Sequence, residues 1–386
     1  MYKYAVVGNG LIGSAAARHL TDMTDGVVVI GPDEPAERTS HNGVFASHYD
    51  EGRMTRIVDP IPEWSMTAKR SIARYRELEQ RSGISFYTPA GYLGLGGPEL
   101  HYNDRCAAVG ISQGATLERL DAAQIRQRYP FLNVADDADG LTEYGSAGYI
   151  SPRSMVKAQS MLAENGGATL VKDAAVSISP ISNGLEIGTL SGASIKAEKA
   201  IVATGAFTQA WGLVPKNLNL NVYGRTVVLA EIKENELADF ANMPTMIHCE
   251  SDAYILPPIR YPDGRYYLKL GNGSDADERL QSRDELDRWF KGSGSETDRR
   301  DFTDLMKSIF PALNACDNWH VDTCATTYTM SGLPIIDYVN NDRVLITIGG
   351  CGKGAKGSDE WGYIAASTLL DHAWQHQIDR ERLRFS

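Results

Sequence analysis

Residues 2–20 read "YKYAVVGNGLIGSAAARHL", and the reading of this stretch decides the fold. Residues 4–7 have the character of a short buried strand. Gly8, Gly10 and Gly13 follow at GxGxxG spacing, and residues 14–20 continue as a helix of small side chains. Glycine serves such a turn in three ways: a tight reversal, close backbone approach to a pyrophosphate, and close packing of helix on strand. The pyrophosphate would rest on the helix N-terminus, whose free N–H groups favour an anion. The motif carries weight because a strand precedes it and a helix follows. The expectation is a dinucleotide-binding unit at the start of the chain; a purely structural glycine turn is the alternative.

Working outward, the next strand, "GVVVIGPDEP" at 26–35, should end in an acid that holds the ribose. Gly31 stands there instead, with Asp33 and Glu34 just beyond. Either of those acids reaches the ribose, or its hydroxyls are bound differently. A later strand, "KAEKAIVATGAFTQAW" at 196–211, ends in Ala203-Thr204-Gly205 and returns the chain to the nucleotide unit.

The bulk composition limits the rest. At 386 residues two interleaved domains are expected. A hydrophobic fraction of 42% and a charged fraction of 23% are those of a globular protein. The formal net charge of −11 argues against nucleic acid and anionic membrane surfaces. Five cysteines without CxxC pairs suit a reducing compartment and neither a disulfide framework nor a metal site. No apolar run approaches the length of a membrane span, and the first strand leaves no room for a signal peptide. A cytoplasmic monomer is expected.

Apolar spacing predicts helices over 62–82, 121–129, 152–165, 283–290, 296–309 and 358–375, with Ser151 and Ser358 as N-caps. Strand-like runs lie at 86–95, 222–232, 254–259, 266–271, 320–329 and 343–349, and Pro262-Asp263-Gly264 reads as a hairpin turn.

Three stretches carry candidate chemistry. "SHYDEGRMTRI" at 47–57 sets Arg53 and Arg56 three apart, which is also what solvated surface charge looks like. "YYLKLGNG" at 266–273 places Lys269 in an alternating strand. It is either an exposed edge lysine or, with both faces covered, one that a pocket or cofactor must solvate. "GGCGKGAKGSDE" at 349–360 holds Lys353 and Lys356 among glycines 349, 350, 352, 354 and 357, a density that lets backbone approach a flat ligand.

Over nearly its whole length the chain resembles the monomeric sarcosine oxidase, N-methyltryptophan oxidase and fructosyl amine oxidase family of flavoenzymes, relatives of D-amino-acid oxidase. The most specific part is "CATTYTMSGLPIIDYVNNDRVLITIGGCGKGAKG" at 324–357. The resemblance implies a Rossmann-like FAD-binding domain (1–85, 146–220 and 325–386) interleaved with an α+β substrate domain on an antiparallel sheet (86–145 and 221–324). By residue, it implies a covalent flavin at Cys324 and a lysine assisting reaction with oxygen at Lys269. Arg53 becomes a flavin-proximal arginine, Arg56 and Lys356 a grip on the substrate carboxylate, and Tyr254 a pocket tyrosine. Gly8, Gly10, Gly13, Ser47, Gly205, Gly350, Gly352 and Gly354 join the cofactor-binding set, and no metal is implied.

The implied reaction is oxidation of the C–N bond of a secondary or N-substituted amino acid. An imine forms and hydrolyses to a carbonyl compound and an amine, and O2 becomes H2O2. A flavin dehydrogenase feeding a carrier, and a non-catalytic dinucleotide-binding subunit, are the competing readings. The chain also departs from the family pattern: Lys353 replaces a pocket histidine, Gly273 stands where another histidine is usual, and Ser331 and Gly332 replace acids. Lys353 suggests a substrate with a second anionic group or a polar side chain.

Overall fold

Five strands, Thr169–Val171, Val27–Ile30, Tyr2–Val7, Ser194–Val202 and Val344–Ile348, lie side by side and parallel in a computed structural model of the chain. It describes residues 1–214, 218–274, 276–339 and 342–385. The expected domain segments 146–220, 221–324 and 325–386 therefore each include positions outside the described residues. Ile335–Val339 pairs antiparallel with Val344–Ile348. Ala175–Ile181, Gly184–Thr189 and the first half of Ser194–Val202 form an antiparallel meander on the same sheet.

The parallel strands are apolar on both faces because both faces are covered. Val6, Val29, Ile201 and Leu345 pack under Leu11–Met23 and Gly354–Leu369 through Ala16, Leu20, Trp361 and Ile364. Their neighbours Ala5, Val7, Val28, Val202 and Ile346 point the other way, toward Leu185, Ile187 and Ile195 of the meander. That is the period of two expected of strands.

A second sheet has eight strands. In order they are Trp319–Tyr328, Asn221–Ile232, Tyr266–Gly271, Ala253–Arg260, Thr245–His248, Tyr92–Gly96, Asp139–Tyr144 and Thr116–Asp121. All neighbours are antiparallel except Thr245–His248 with Tyr92–Gly96. A domain boundary at 324/325 falls inside the continuous strand Trp319–Tyr328.

Several local expectations need correction. The run 86–95 splits into Tyr87–Thr88 and Tyr92–Gly96, which join different sheets, because Pro89-Ala90-Gly91 turns the chain between them. The last helix spans Gly354–Leu369, so Ser358 lies in its second turn and donates to the Ala355 carbonyl (2.9 Å) instead of capping. Buried packing on Leu11–Met23 outweighs the poor helix propensity of Gly354 and Gly357. Tyr102–Ser112 is a helix where the sequence suggested none. Ser151 caps Pro152–Asn165 as expected, accepting from the Ser154 amide.

Candidate functional site

The glycine turn, the end of Ser194–Val202 and the strand Trp319–Tyr328 enclose a cavity of 530 Å³. Its wall includes Gly8, Gly10, Ser47, Gly205, Cys324, Gly350, Gly352 and Gly354, and also Arg53, Arg56, Tyr254, Lys353 and Lys356. Of the catalytic, substrate-binding and cofactor-binding residues implied by the resemblance, Gly13 and Lys269 stay behind the wall.

The turn is built by exclusion of side chains. Gly8 has φ +107°, and a Cβ there would lie 2.4 Å from the Ala203 carbonyl oxygen. A Cβ on Gly13 would fall 1.9 Å from the Gly8 carbonyl oxygen, so Gly13 packs the turn rather than lining the cavity. Gly31 is fixed the same way: a Cβ would meet Asn9 at 2.6 Å, which leaves no room for the expected acid. Asp33 instead pairs with Lys172 (2.8 Å) and Glu34 with Arg153 (2.6 Å), and neither lines the cavity.

Two helices begin at the wall. Gly10 precedes Leu11–Met23 and Lys353 precedes Gly354–Leu369, and neither supplies a side-chain cap to the free N–H groups. Such helix starts attract anions. His48 stands beside Gly10 with its Nδ1 buried and unbonded. Burial, with help from Arg153 and Arg53, pulls it down to about 4, so the ring is neutral near pH 7. A bare glycine turn, two open helix starts and this unbonded nitrogen fit a dinucleotide.

A cationic cluster occupies another part of the same wall. Asp59 is fully buried, with both carboxylate oxygens 3.1 Å from Lys353 Nζ and Oδ2 2.6 Å from Lys356 Nζ. Arg56 is buried beside them, donates from Nη2 to the Tyr102 hydroxyl (3.2 Å), and lies 4.4 Å over the Tyr92 ring. Its Nη1 is buried without a partner. Burial opposes charge on Asp59, yet Lys356, Lys353 and Arg56 together hold its carboxyl well below the usual range. Burial lowers Lys356 to about 8, only partly offset by Asp59. Three cations thus face two carboxylates, Asp59 and the wall residue Asp252, and the surplus is positive. Lys353 spends its ammonium on Asp59.

Lys269 is 1% exposed, in a central strand between Leu229 and Leu256. It is therefore no edge lysine. Its ammonium donates to the Asp50 carboxylate and to the Gly52 carbonyl (2.9 Å). Arg53 pairs with the same Asp50. Burial, joined by Arg53, pulls Lys269 well below the ordinary lysine value, while the Asp50 carboxylate and the Gly52 carbonyl favour its protonated form. Tyr254 lies 5.6 Å from Lys269 Nζ and packs on Gly271, where a Cβ would be 2.4 Å from the tyrosine hydroxyl.

Cys324 is a free thiol in the wall, half-buried, with its carbonyl accepting from Trp289 Nε1 (3.0 Å). Cys351 also lines the cavity and is buried. The sequence reading missed His48, Asp59 and Arg225. Arg225 had the clearest signal, a charged residue inside the apolar run 222–230, the same signal that marked Lys269. Among the described residues no group of three or more His, Cys, Asp or Glu could hold a metal ion, and no helix is long and apolar enough to cross a membrane.

The chain is similar to known proteins. N-methyl-L-tryptophan oxidase of Salmonella heidelberg is 25% identical across 100% of this chain and 99% of its own length. Monomeric sarcosine oxidase of Streptomyces avermitilis is 32% identical over a segment covering 44% of this chain, and the chain spans only 42% of that enzyme's length. The crystal structure of fructosyl amine:oxygen oxidoreductase (amadoriase I) from Aspergillus fumigatus shares the fold, with a TM-score of 0.75 over 100% of this chain and 89% of that one, at 16% identity. A family model described as FAD dependent oxidoreductase matches residues 3–368, a span that takes in every residue of the cavity wall, and the chain belongs to that family.

Proposed function

We propose that the chain is an FAD-dependent amine oxidase that acts on the C–N bond of an N-substituted amino acid. The observation that carries the reading is the buried, unpartnered Nη1 of Arg56 beside Lys356, in the wall of a cavity that also holds the glycine turn. An arginine with a free N–H edge next to a lysine suits a carboxylate, and an α-carboxylate fixed there orients the amine carbon.

Residues 1–85, 146–220 and 325–386 form the cofactor domain in this reading, and 86–145 and 221–324 the substrate domain. Gly8, Gly10, Gly205 and Ser47, with Gly350, Gly352 and Gly354, hold FAD, and Cys324 tethers it through a thioether. FAD, when bound, supplies the two-electron acceptor for the amine. Arg56 and Lys356 bind the carboxylate, and Asp59 keeps Lys353 and Lys356 in register. Tyr254 borders the substrate. The amine loses two electrons and two protons to become an imine, which water hydrolyses to a carbonyl compound and an amine. O2 takes the two electrons and two protons to give H2O2. Lys269, fixed by Asp50 and Gly52, supplies positive charge where negative charge develops on oxygen. Arg53, on the same Asp50, sets that charge from the cavity side. The products leave to solvent, and no membrane or nucleic acid takes part. A cytoplasmic monomer is proposed.

The test uses the purified protein under air with a panel of N-methyl amino acids, reading flavin absorbance, aldehyde and peroxide. Bleaching of the flavin with equal yields of aldehyde and peroxide is expected. A flavin that no amino acid bleaches would overturn the proposal. Bleaching without peroxide would replace the oxidase with a dehydrogenase.

A further inference from the structure

We propose that Arg225 is a second recognition residue of the cavity, selecting substrates whose side chain ends in a carbonyl oxygen, as carboxamide or carboxylate, over apolar ones of equal length. The inference rests on the carboxylate reading of Arg56 and Lys356 and adds what the far end of the substrate must be. Arg225 lies in the middle of Asn221–Ile232, directly opposite Cys324 in the neighbouring strand, so both side chains share one face of the sheet. It is 4% exposed and lines the cavity.

The guanidinium is locked. Nε donates to Thr326 Oγ1 (2.8 Å), and Nη1 donates to the Ser274 carbonyl (2.7 Å) and to the Asp277 carboxylate. The rings of Tyr223 and Tyr328 lie 4.9 and 5.4 Å from Cζ. The Tyr328 hydroxyl also interacts with the guanidinium. A guanidinium has five N–H donors in a rigid fork, so at least one remains on Nη2.

Gly273 keeps that nitrogen accessible. A Cβ at 273 would lie 3.1 Å from Arg225 Cζ and 3.3 Å from Nη2, and any longer side chain would cover it. Asp277 already balances the charge, so the site lacks an acceptor rather than an anion. A carboxamide oxygen answers it as a carboxylate does, while an apolar end leaves an N–H group unpaired. Lys353, which the sequence offered for this role, is engaged by Asp59.

Calorimetric titration of the holoenzyme with pentanoate, glutarate and glutaramate tests this without turnover. All three have five-carbon chains, and each carries one carboxylate for Arg56 and Lys356. Glutarate and glutaramate are expected to bind about tenfold or more tighter than pentanoate, and Arg225→Gln to shrink that ratio toward one. Equal Kd values for the three acids in the unsubstituted protein would overturn the inference, whether or not the variant folds. A ratio that Arg225→Gln leaves intact would assign the selectivity elsewhere and overturn it too. Failure of every acid to bind, pentanoate included, would instead remove the carboxylate reading and this inference with it. Preference for glutarate alone would limit the class to dicarboxylates and overturn the carboxamide half.

Discussion

Lys356 donates to Asp59 Oδ2 across 2.6 Å, and both groups are shut off from solvent. A buried lysine so placed titrates near neutrality: burial lowers it to about 8. Below that pH it is an ammonium and binds a carboxylate; above it the charge is gone. For the free enzyme kcat/KM is expected to fall as pH rises through 8, while kcat falls later, because bound carboxylate holds the proton on. Stability moves the other way. Between the folded value and the ordinary lysine value of 10.5 the unfolded chain binds the extra proton, so this group makes the fold more stable as pH rises across that window. Steady-state profiles and thermal melts from pH 7 to 10 check both signs.

Replacing Asp59 by Asn removes the main group that supports the charge on Lys356. The alkaline limb of kcat/KM is expected to move to lower pH. Stability should fall by about 3–5 kcal/mol, the usual cost of leaving buried partners unpaired. Denaturant titration and the same pH profile measure the two effects separately.

Cys324→Ser is expected to release the flavin. Acid precipitation of the unsubstituted protein should give a yellow, fluorescent pellet, and that of the variant a white pellet under a yellow supernatant. Cys351→Ser should keep the yellow pellet. A tether lost with Cys351 would move the attachment to the glycine-rich turn.

Lys269→Met removes the buried amine and its bonds to Asp50 and Gly52 without removing the bulk that fills the strand's position. Oxygen consumption by the reduced enzyme should slow about 100-fold or more, with reduction by substrate far less affected. Stopped-flow measurement of the two half-reactions distinguishes this from general damage, which would slow both.

Gly271→Ala puts a Cβ 2.4 Å from the Tyr254 hydroxyl and 2.6 Å from its ring. Overpacking of this kind costs about 1–3 kcal/mol. Substrate KM should rise as Tyr254 is displaced, whereas the flavin content of the purified protein should hold.

Much of this was legible in the chain, and the reasons differ by residue. The turn at Gly8 and Gly13 could be read because each position excludes a side chain, a constraint local enough to leave a spacing. Lys269 and Arg225 bear the same mark, a cation in an apolar strand, but only Lys269 had a family motif around it. Asp59 left no local trace. Its meaning comes from Lys353 and Lys356, nearly three hundred residues away. The absent acid at Gly31 could be noticed in sequence but explained only once Asn9 was seen against it. The helix Tyr102–Ser112 and the strand Thr116–Asp121 were missed because their apolar faces are short and partly exposed.

The strand order has a consequence for how the holoenzyme comes into being. Tyr2–Val7 pairs with Ser194–Val202, which pairs in turn with Val344–Ile348, and the cavity wall draws on residues 8–12 and 347–356 alike. Segments more than about three hundred residues apart must therefore meet before a binding site exists. Contacts of such sequence separation form slowly and leave strand edges exposed meanwhile. Flavin supply during expression should thus govern how much protein reaches the native state, and a nascent chain stalled before the last strand should carry no cofactor at all.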